Sequence, residues 1–151
     1  VAGPLELDVT YAARRPWVPR RAQFRRWAEA ALARRERGGR LSVRVVGVAR
    51  SRSLNARYRD KDKPTNVLSF EGAGRVADGL HDLGELVICA PVVAREAALQ
   101  SKTAEAHWAH MTVHGVLHLL GFDHERPAEA AKMEAREAQI LDRLGFSNPY
   151  V

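Results

Sequence analysis

Apolar and polar residues alternate in Leu5-Glu6-Leu7-Asp8-Val9-Thr10, and Leu41-Ser42-Val43-Arg44-Val45-Val46-Gly47-Val48 repeats the pattern as far as Val45. Successive side chains of a strand point to opposite faces, so this period of two predicts two half-buried strands. Between them Phe24, Trp27, Ala28, Ala31 and Leu32 recur at helical spacing. They predict a helix that opens near Pro19, a residue tolerated in a first turn, and stops at Gly38-Gly39. Its opposite face is almost all arginine. A short helix is predicted over residues 51–59, a turn over 60–65, a third strand over 66–70 and a glycine-rich surface loop over 71–82. The mostly apolar run 83–90 predicts a central fourth strand, and Pro91 opens a helix to about Gln100. Two further helices are predicted over 105–120 and 127–144, ended by Gly121 and Gly145. This order of elements predicts an α+β fold: a small mixed four-stranded sheet packed with about five helices, in one domain over residues 1–151.

Composition narrows the classes of function. A chain of 151 residues with 46% apolar content buries a core without covalent staples. No run approaches the roughly 18 apolar residues of a membrane span, and the start of the chain has no apolar signal core, so a soluble, cytoplasmic protein is expected. The single cysteine, Cys89, excludes a disulfide framework and a thiolate-rich metal site, and its apolar surroundings in sequence read as those of a buried, inert thiol. A net charge of +6 suits a polyanionic partner such as nucleic acid. Twenty of the 24 basic residues are arginine, however, which with abundant alanine is equally the composition a GC-rich genome produces.

The chemistry is concentrated in His114-Gly115-Val116-Leu117-His118-Leu119-Leu120-Gly121-Phe122-Asp123-His124. Residues four apart lie one turn apart on one helical face, so His114 and His118 point at a single ion. On a continued helix His124 would face elsewhere; Gly121 ends the helix and lets the chain fold back to bring it in. Three imidazoles with an open fourth position describe a catalytic zinc site, whose bound water has its pKa brought to about 7. One zinc ion is therefore expected on His114, His118 and His124. The same spacing occurs in zinc peptidases, but the glutamate they use as general base is replaced here by Gly115. A phosphodiester substrate, whose transition state spreads negative charge, asks instead for a metal and cations. His107 and His110 precede His114 on the same helix and read either as groups behind a ligand, as alternative ligands, or as ordinary helix-face histidines. Asp123 either orients a ligand histidine or caps its own turn.

A second stretch, residues 55–70, mixes cations with hydroxyl and amide groups around Pro64. An arginine there can grip a phosphate through two parallel hydrogen bonds, with Arg57, Lys61 and Lys63 as candidate RNA contacts; a solvated turn with Lys–Asp pairs is the plainer alternative.

Leu54-Asn55-Ala56-Arg57-Tyr58-Arg59, Lys61-Asp62-Lys63-Pro64-Thr65-Asn66-Val67-Leu68-Ser69-Phe70, Leu83-Gly84-Glu85-Leu86-Val87-Ile88 and the histidine motif together resemble the YbeY family of bacterial endoribonucleases, the rRNA maturation factors. The resemblance spans most of the chain. It implies a zinc-dependent, single-strand-specific endoribonuclease, a hydrolase of phosphodiester bonds, that matures the 3′ end of small-subunit rRNA and takes part in ribosome quality control. Its implied partners are single-stranded RNA, precursor small-subunit rRNA and ribosomal subunit proteins. By position, His114, His118 and His124 resemble the zinc ligands and Arg59 the catalytic arginine, which makes Arg59 and His114 the catalytic candidates. Family members often carry Asp where this chain has Asn66 or Glu85, and commonly Pro where it has Glu71. Two other readings stand beside this one: a non-catalytic, zinc-stabilised RNA-binding assembly factor, and a zinc peptidase, which Gly115 disfavours.

Overall fold

The computed structural model describes residues 4–32, 38–75 and 80–151. The elements run in the order β1 (Glu6–Tyr11), α1 (Arg21–Ala31), β2 (Arg40–Val46), α2 (Val48–Arg59), β3 (Val67–Arg75), β4 (His81–Cys89), α3 (Ala90–Leu99), α4 (Ala104–Leu119) and α5 (Pro127–Arg143). This is the α+β arrangement expected. The strands form one mixed sheet in the order β1-β2-β4-β3, with β1, β2 and β4 parallel and β3 antiparallel on the edge beside β4.

Alternation decides which face of each strand is covered. Leu5, Leu7 and Val9 join Leu41, Val43, Val45, Leu86 and Ile88 in the main core, closed from above by Phe24 and Trp27 of α1, Trp108, Val113 and Leu117 of α4, and Ile140 and Leu141 of α5. A smaller cluster of Val46, Leu68, Val87, Cys89 and Val92 lies on the opposite face with Leu54 of α2. Cys89 is fully buried there and burial pushes its thiol pKa up, which keeps it an unreactive thiol. No helix among the described residues is long and apolar enough to cross a membrane.

Two boundaries differ from the sequence expectation. The segment 71–82, expected as a surface loop, is largely strand: β3 continues to Arg75, and β4 begins at His81, with Gly74 opposite Asp82 and Arg75 opposite His81. Gly72 and Gly84 serve backbone approach: a Cβ on Gly72 would lie 2.5 Å from the Asp82 carbonyl. Gly84 has φ +124, and a Cβ on it would lie 2.1 Å from the Phe70 carbonyl, beside the register shift between Glu71 and Gly74. Residues 76–79 of that expected loop lie outside the described residues. The first helix ends earlier than Gly38-Gly39, because Leu32 turns extended (φ −77, ψ 141) while remaining buried in the core. Residues 33–37, over which the sequence predicts that the helix continues, lie outside the described residues.

The arginine face of α1 also has a structural use. Arg21 donates to the Val9 carbonyl (3.3 Å), Arg25 to Leu5 (2.8 Å) and Arg26 to Leu144 (3.3 Å). These three guanidinium groups tie α1 to the start of the sheet and to the end of α5.

Helix α4 is the centre of the fold. Thr103 caps it by accepting the Ala106 N–H (3.1 Å), and it packs on β3, β4, α1, α3 and α5. Gly115 is where it lies against the sheet: a Cβ there would come within 2.8 Å of a Leu86 methyl and 3.3 Å of Ser69 Oγ, while Ser69 Oγ donates to the Gly115 carbonyl at 3.1 Å. Leu86 is itself fully buried, so the neighbour cannot swing into solvent. Gly115→Glu is expected to force α4 off the sheet or bury an unpaired carboxylate, lowering stability by about 3 kcal/mol or more, read as a depressed urea midpoint. A midpoint equal to wild type would contradict this packing.

Candidate metal centre

His114 and His118 sit one turn apart near the end of α4, and the helix then stops in the manner that Gly121 suggests. Gly121 has φ +98; its N–H donates to the His118 carbonyl (3.0 Å) and the Phe122 N–H to the Leu117 carbonyl (3.0 Å). The reversal brings His124 back over the helix. The ring centroids of His114 and His118 are 4.7 Å apart, those of His118 and His124 4.8 Å, and those of His114 and His124 5.4 Å. One nitrogen from each ring lies within 4.8 Å of the others, near enough for one ion to draw on all three. Asp123 accepts the Glu125 N–H (3.1 Å) and so shapes the turn that presents His124, the capping use of the two considered.

A group missed in the sequence stands behind the histidines. Glu137, on α5 and fully buried, accepts from His114 Nδ1 at 2.8 Å with one carboxylate oxygen and from His110 Nε2 at 2.7 Å and the Tyr150 hydroxyl at 2.6 Å with the other. Placing the His114 proton on Nδ1 leaves the Nε2 lone pair free for the cleft, as a carboxylate behind a metal-binding histidine commonly does. Burial alone would raise the Glu137 pKa; the hydrogen bonds from His110, His114 and Tyr150 outweigh it and hold the group down at about 2. Its trace in the sequence is its position in the core stripe of α5, between Met133 and Ile140-Leu141. His110, His114 and Glu137 also satisfy the spacing of a metal site, but their facing atoms are already joined by these hydrogen bonds. His110 therefore faces the carboxylate behind His114, and His107 faces Glu96 (2.8 Å). Burial, with His114 and His124 close by, pushes the His118 pKa down to about 4. It stays neutral across the physiological range, the state in which imidazole is a metal ligand.

The histidines open into a cavity of about 410 Å³ whose lining also includes Arg59, Lys61, Lys63, Asn66, Ser69 and Glu71. Arg59 ends α2 at the left-handed Asp60 (φ 58). The loop after it is fastened by two buried side chains one turn apart on α2: Ser51 Oγ donates to the Thr65 carbonyl (3.0 Å) and accepts its N–H (2.9 Å), and Asn55 Nδ2 donates to the Lys63 carbonyl (2.8 Å). The guanidinium of Arg59 and the ammonium groups of Lys61 and Lys63 form no hydrogen bond or ion pair among the described residues. Arg52, by contrast, is bound to Asp62 and Arg44 to Glu85. Arg57 lies outside the cavity, over the Tyr58 ring at 5.3 Å. Asn55→Ala is expected to leave the Lys63 carbonyl unpaired and cost about 1–3 kcal/mol, read as a lowered urea midpoint; unchanged stability would contradict the fastening described.

These features have counterparts in known proteins. A model of the family described as endoribonuclease YbeY matches residues 16–145. The chain is 48% identical over 148 residues to endoribonuclease YbeY of Nitrosococcus oceani, covering 97% of each chain. It is 53% identical over 156 residues to that of Stenotrophomonas maltophilia, covering 98% of this chain and 96% of the relative. The solution structure of TM1509 from Thermotoga maritima superposes with a TM-score of 0.55 at 21% identity, over 93% of this chain and 91% of that one, which agrees with the fold. Three convergent imidazoles, a carboxylate behind the first and a cleft lined by Arg59, Lys61 and Lys63 thus stand in a chain that belongs to the endoribonuclease YbeY family.

Proposed function

We propose that this protein is a zinc-dependent endoribonuclease that cuts single-stranded RNA in the maturation of the small-subunit rRNA 3′ end and in ribosome quality control, with residues 1–151 acting as one domain in the cytoplasm. The observation that carries the proposal is that His114, His118 and His124 share the lining of one cavity with Arg59, Lys61 and Lys63. The chemistry of the donor set favours zinc, since neutral imidazoles suit it and oxygen-rich cages suit magnesium or calcium. A zinc ion bound there supplies Lewis acidity, activating a hydroxyl or water and stabilising charge on the phosphoryl group.

The chain supplies the rest. Arg59 holds the non-bridging phosphoryl oxygens through parallel N–H donors and opposes the charge that grows on them. Lys61 and Lys63 bind the flanking phosphates and set the register of the strand. Glu137 fixes His114 with its Nε2 toward the cleft. Gly115 argues against a peptidase, because the space a glutamate would need at that position is filled by Leu86 and Ser69.

The test is cleavage of a single-stranded precursor of the rRNA 3′ end and of a duplex of the same sequence, before and after chelation. Cutting of the single strand alone, lost on chelation and restored by zinc, is expected. Equal cleavage by wild type, Arg59→Ala and His114→Ala would show a contaminating nuclease and overturn the proposal. Cyclic-phosphate ends would identify the substrate's 2′-hydroxyl as nucleophile; 5′-phosphate ends would identify water.

A further inference from the structure

Behind the histidine centre a continuous line of hydrogen bonds runs away from the cleft. His114 Nδ1 meets Glu137 (2.8 Å), Glu137 meets His110 Nε2 (2.7 Å), His110 Nδ1 lies 3.4 Å from Lys102 Nζ, Lys102 Nζ lies 3.3 Å from His107 Nδ1, and His107 Nε2 meets Glu96 (2.8 Å). Glu96 in turn accepts from Asn66 Nδ2 at 3.1 and 3.2 Å, and Asn66 lines the cavity. His107 and His110 are 1% and 7% exposed, and Glu137 is fully buried. These groups have few other partners to choose from.

We propose that Lys102 is a positioning residue for the metal centre: by donating to Nδ1 of both His107 and His110 it fixes each as the Nε2–H tautomer, and His110 then fixes Glu137 toward His114. The inference rests on the reading of His114, His118 and His124 as metal ligands. Lysine has three donors and no acceptor, so each imidazole nitrogen facing it must offer its lone pair. A neutral imidazole with Nδ1 as acceptor carries its proton on Nε2. That proton is what His110 donates to one oxygen of Glu137, an oxygen that also takes the Tyr150 hydroxyl (2.6 Å). The other oxygen is left to His114. The opposite tautomer of His110 would set a lone pair against a carboxylate oxygen at 2.7 Å and an N–H against an ammonium. Among the described residues Lys102 is therefore the cation that orients both histidines; burial lowers its pKa, and the charges of Glu96 and Glu137 oppose that shift. A purely structural role would require only that the charge be present.

The proton positions are readable by nitrogen-15 NMR of the metal-free protein, without any activity. In wild type His107 and His110 are expected to carry the proton on Nε2 and His114 on Nδ1. In Lys102→Met the Nδ1 lone pairs of His107 and His110 lose their donor, so their Nδ1 nitrogen-15 shifts are expected to move, and the zinc dissociation constant, measured by chelator competition, to rise about tenfold or more. Lys102→Arg should restore both. A wild-type His110 protonated on Nδ1 would overturn the proposal whether or not the methionine variant folds, and so would a folded Lys102→Met with unchanged Nδ1 shifts and zinc affinity. If wild type binds no zinc while showing the expected tautomers, the metal-centre reading fails, distinguishably from the orientation of the histidines by Lys102.

Discussion

The Arg59→Ala variant is expected to cut RNA about 100- to 1,000-fold more slowly than wild type, with zinc content and melting temperature unchanged. The two halves of that expectation have different causes. Arg59 is exposed at the last residue of α2, and its guanidinium forms no hydrogen bond or ion pair among the described residues. Removing it strands no partner, so stability should move by no more than about 0.5 kcal/mol. It also lines the cavity into which the histidines open, where a planar cation with paired donors matches a phosphoryl group as no neighbouring side chain does. Lys61 and Lys63 are point charges on flexible stems. Arg59→Lys should therefore recover only part of the rate. Single-turnover cleavage with saturating protein checks this, because it separates lost chemistry from lost binding. Full activity in the alanine variant would remove Arg59 from the mechanism.

Glu137→Gln is expected to weaken zinc binding about 10- to 100-fold and to destabilise the protein by about 1–3 kcal/mol. The carboxylate takes three donors, from His110, His114 and Tyr150, inside a fully buried site. An amide has a single oxygen, and its NH₂ must face at least one of those donors. Either His114 loses its partner, and with it the fixed direction of Nε2, or the Tyr150 and His110 side is left unpaired. The pH dependence carries a sign. Since the folded-state pKa of Glu137 lies at about 2, below its ordinary 4.5, the carboxylate's contribution is fully present above about 4.5. It is lost as pH falls toward 2. The melting-temperature gap between wild type and Glu137→Gln should accordingly narrow between pH 5 and pH 3. A constant gap across that window would show that Glu137 is held by packing and not by its charge.

What sequence alone conveys follows from the range of the interactions. The histidine centre is local: a four-residue spacing on one helix and a glycine that reverses the chain lie within eleven residues, His114 to His124. Helical geometry alone then brings the rings together. The alternating strands and the α+β order are legible for the same reason. Glu137 is distant in sequence and reads as one acidic residue among several on an amphipathic helix. Only its place in the core stripe with Met133, Ile140 and Leu141 marks it. Lys102 and Glu96 are equally silent, since their partners lie on α4. Residues 71–82 misled because glycine favours loops locally, while the pairing of β3 with β4 is a tertiary contact that overrides that preference. The arginines of α1 carry a similar lesson: charge counts suggest a partner, yet the carbonyls that Arg21, Arg25 and Arg26 bind belong to distant segments.

Three imidazoles are proposed to hold one zinc with a position left open for reaction. Zinc-edge X-ray absorption on the protein loaded with one equivalent reads that coordination. Three imidazole nitrogens at about 2.0–2.1 Å and one oxygen from water are expected around the ion, with the imidazole signal reduced in His124→Ala. A shell containing sulfur, four protein ligands with no water, or a spectrum unchanged by His124→Ala would contradict it.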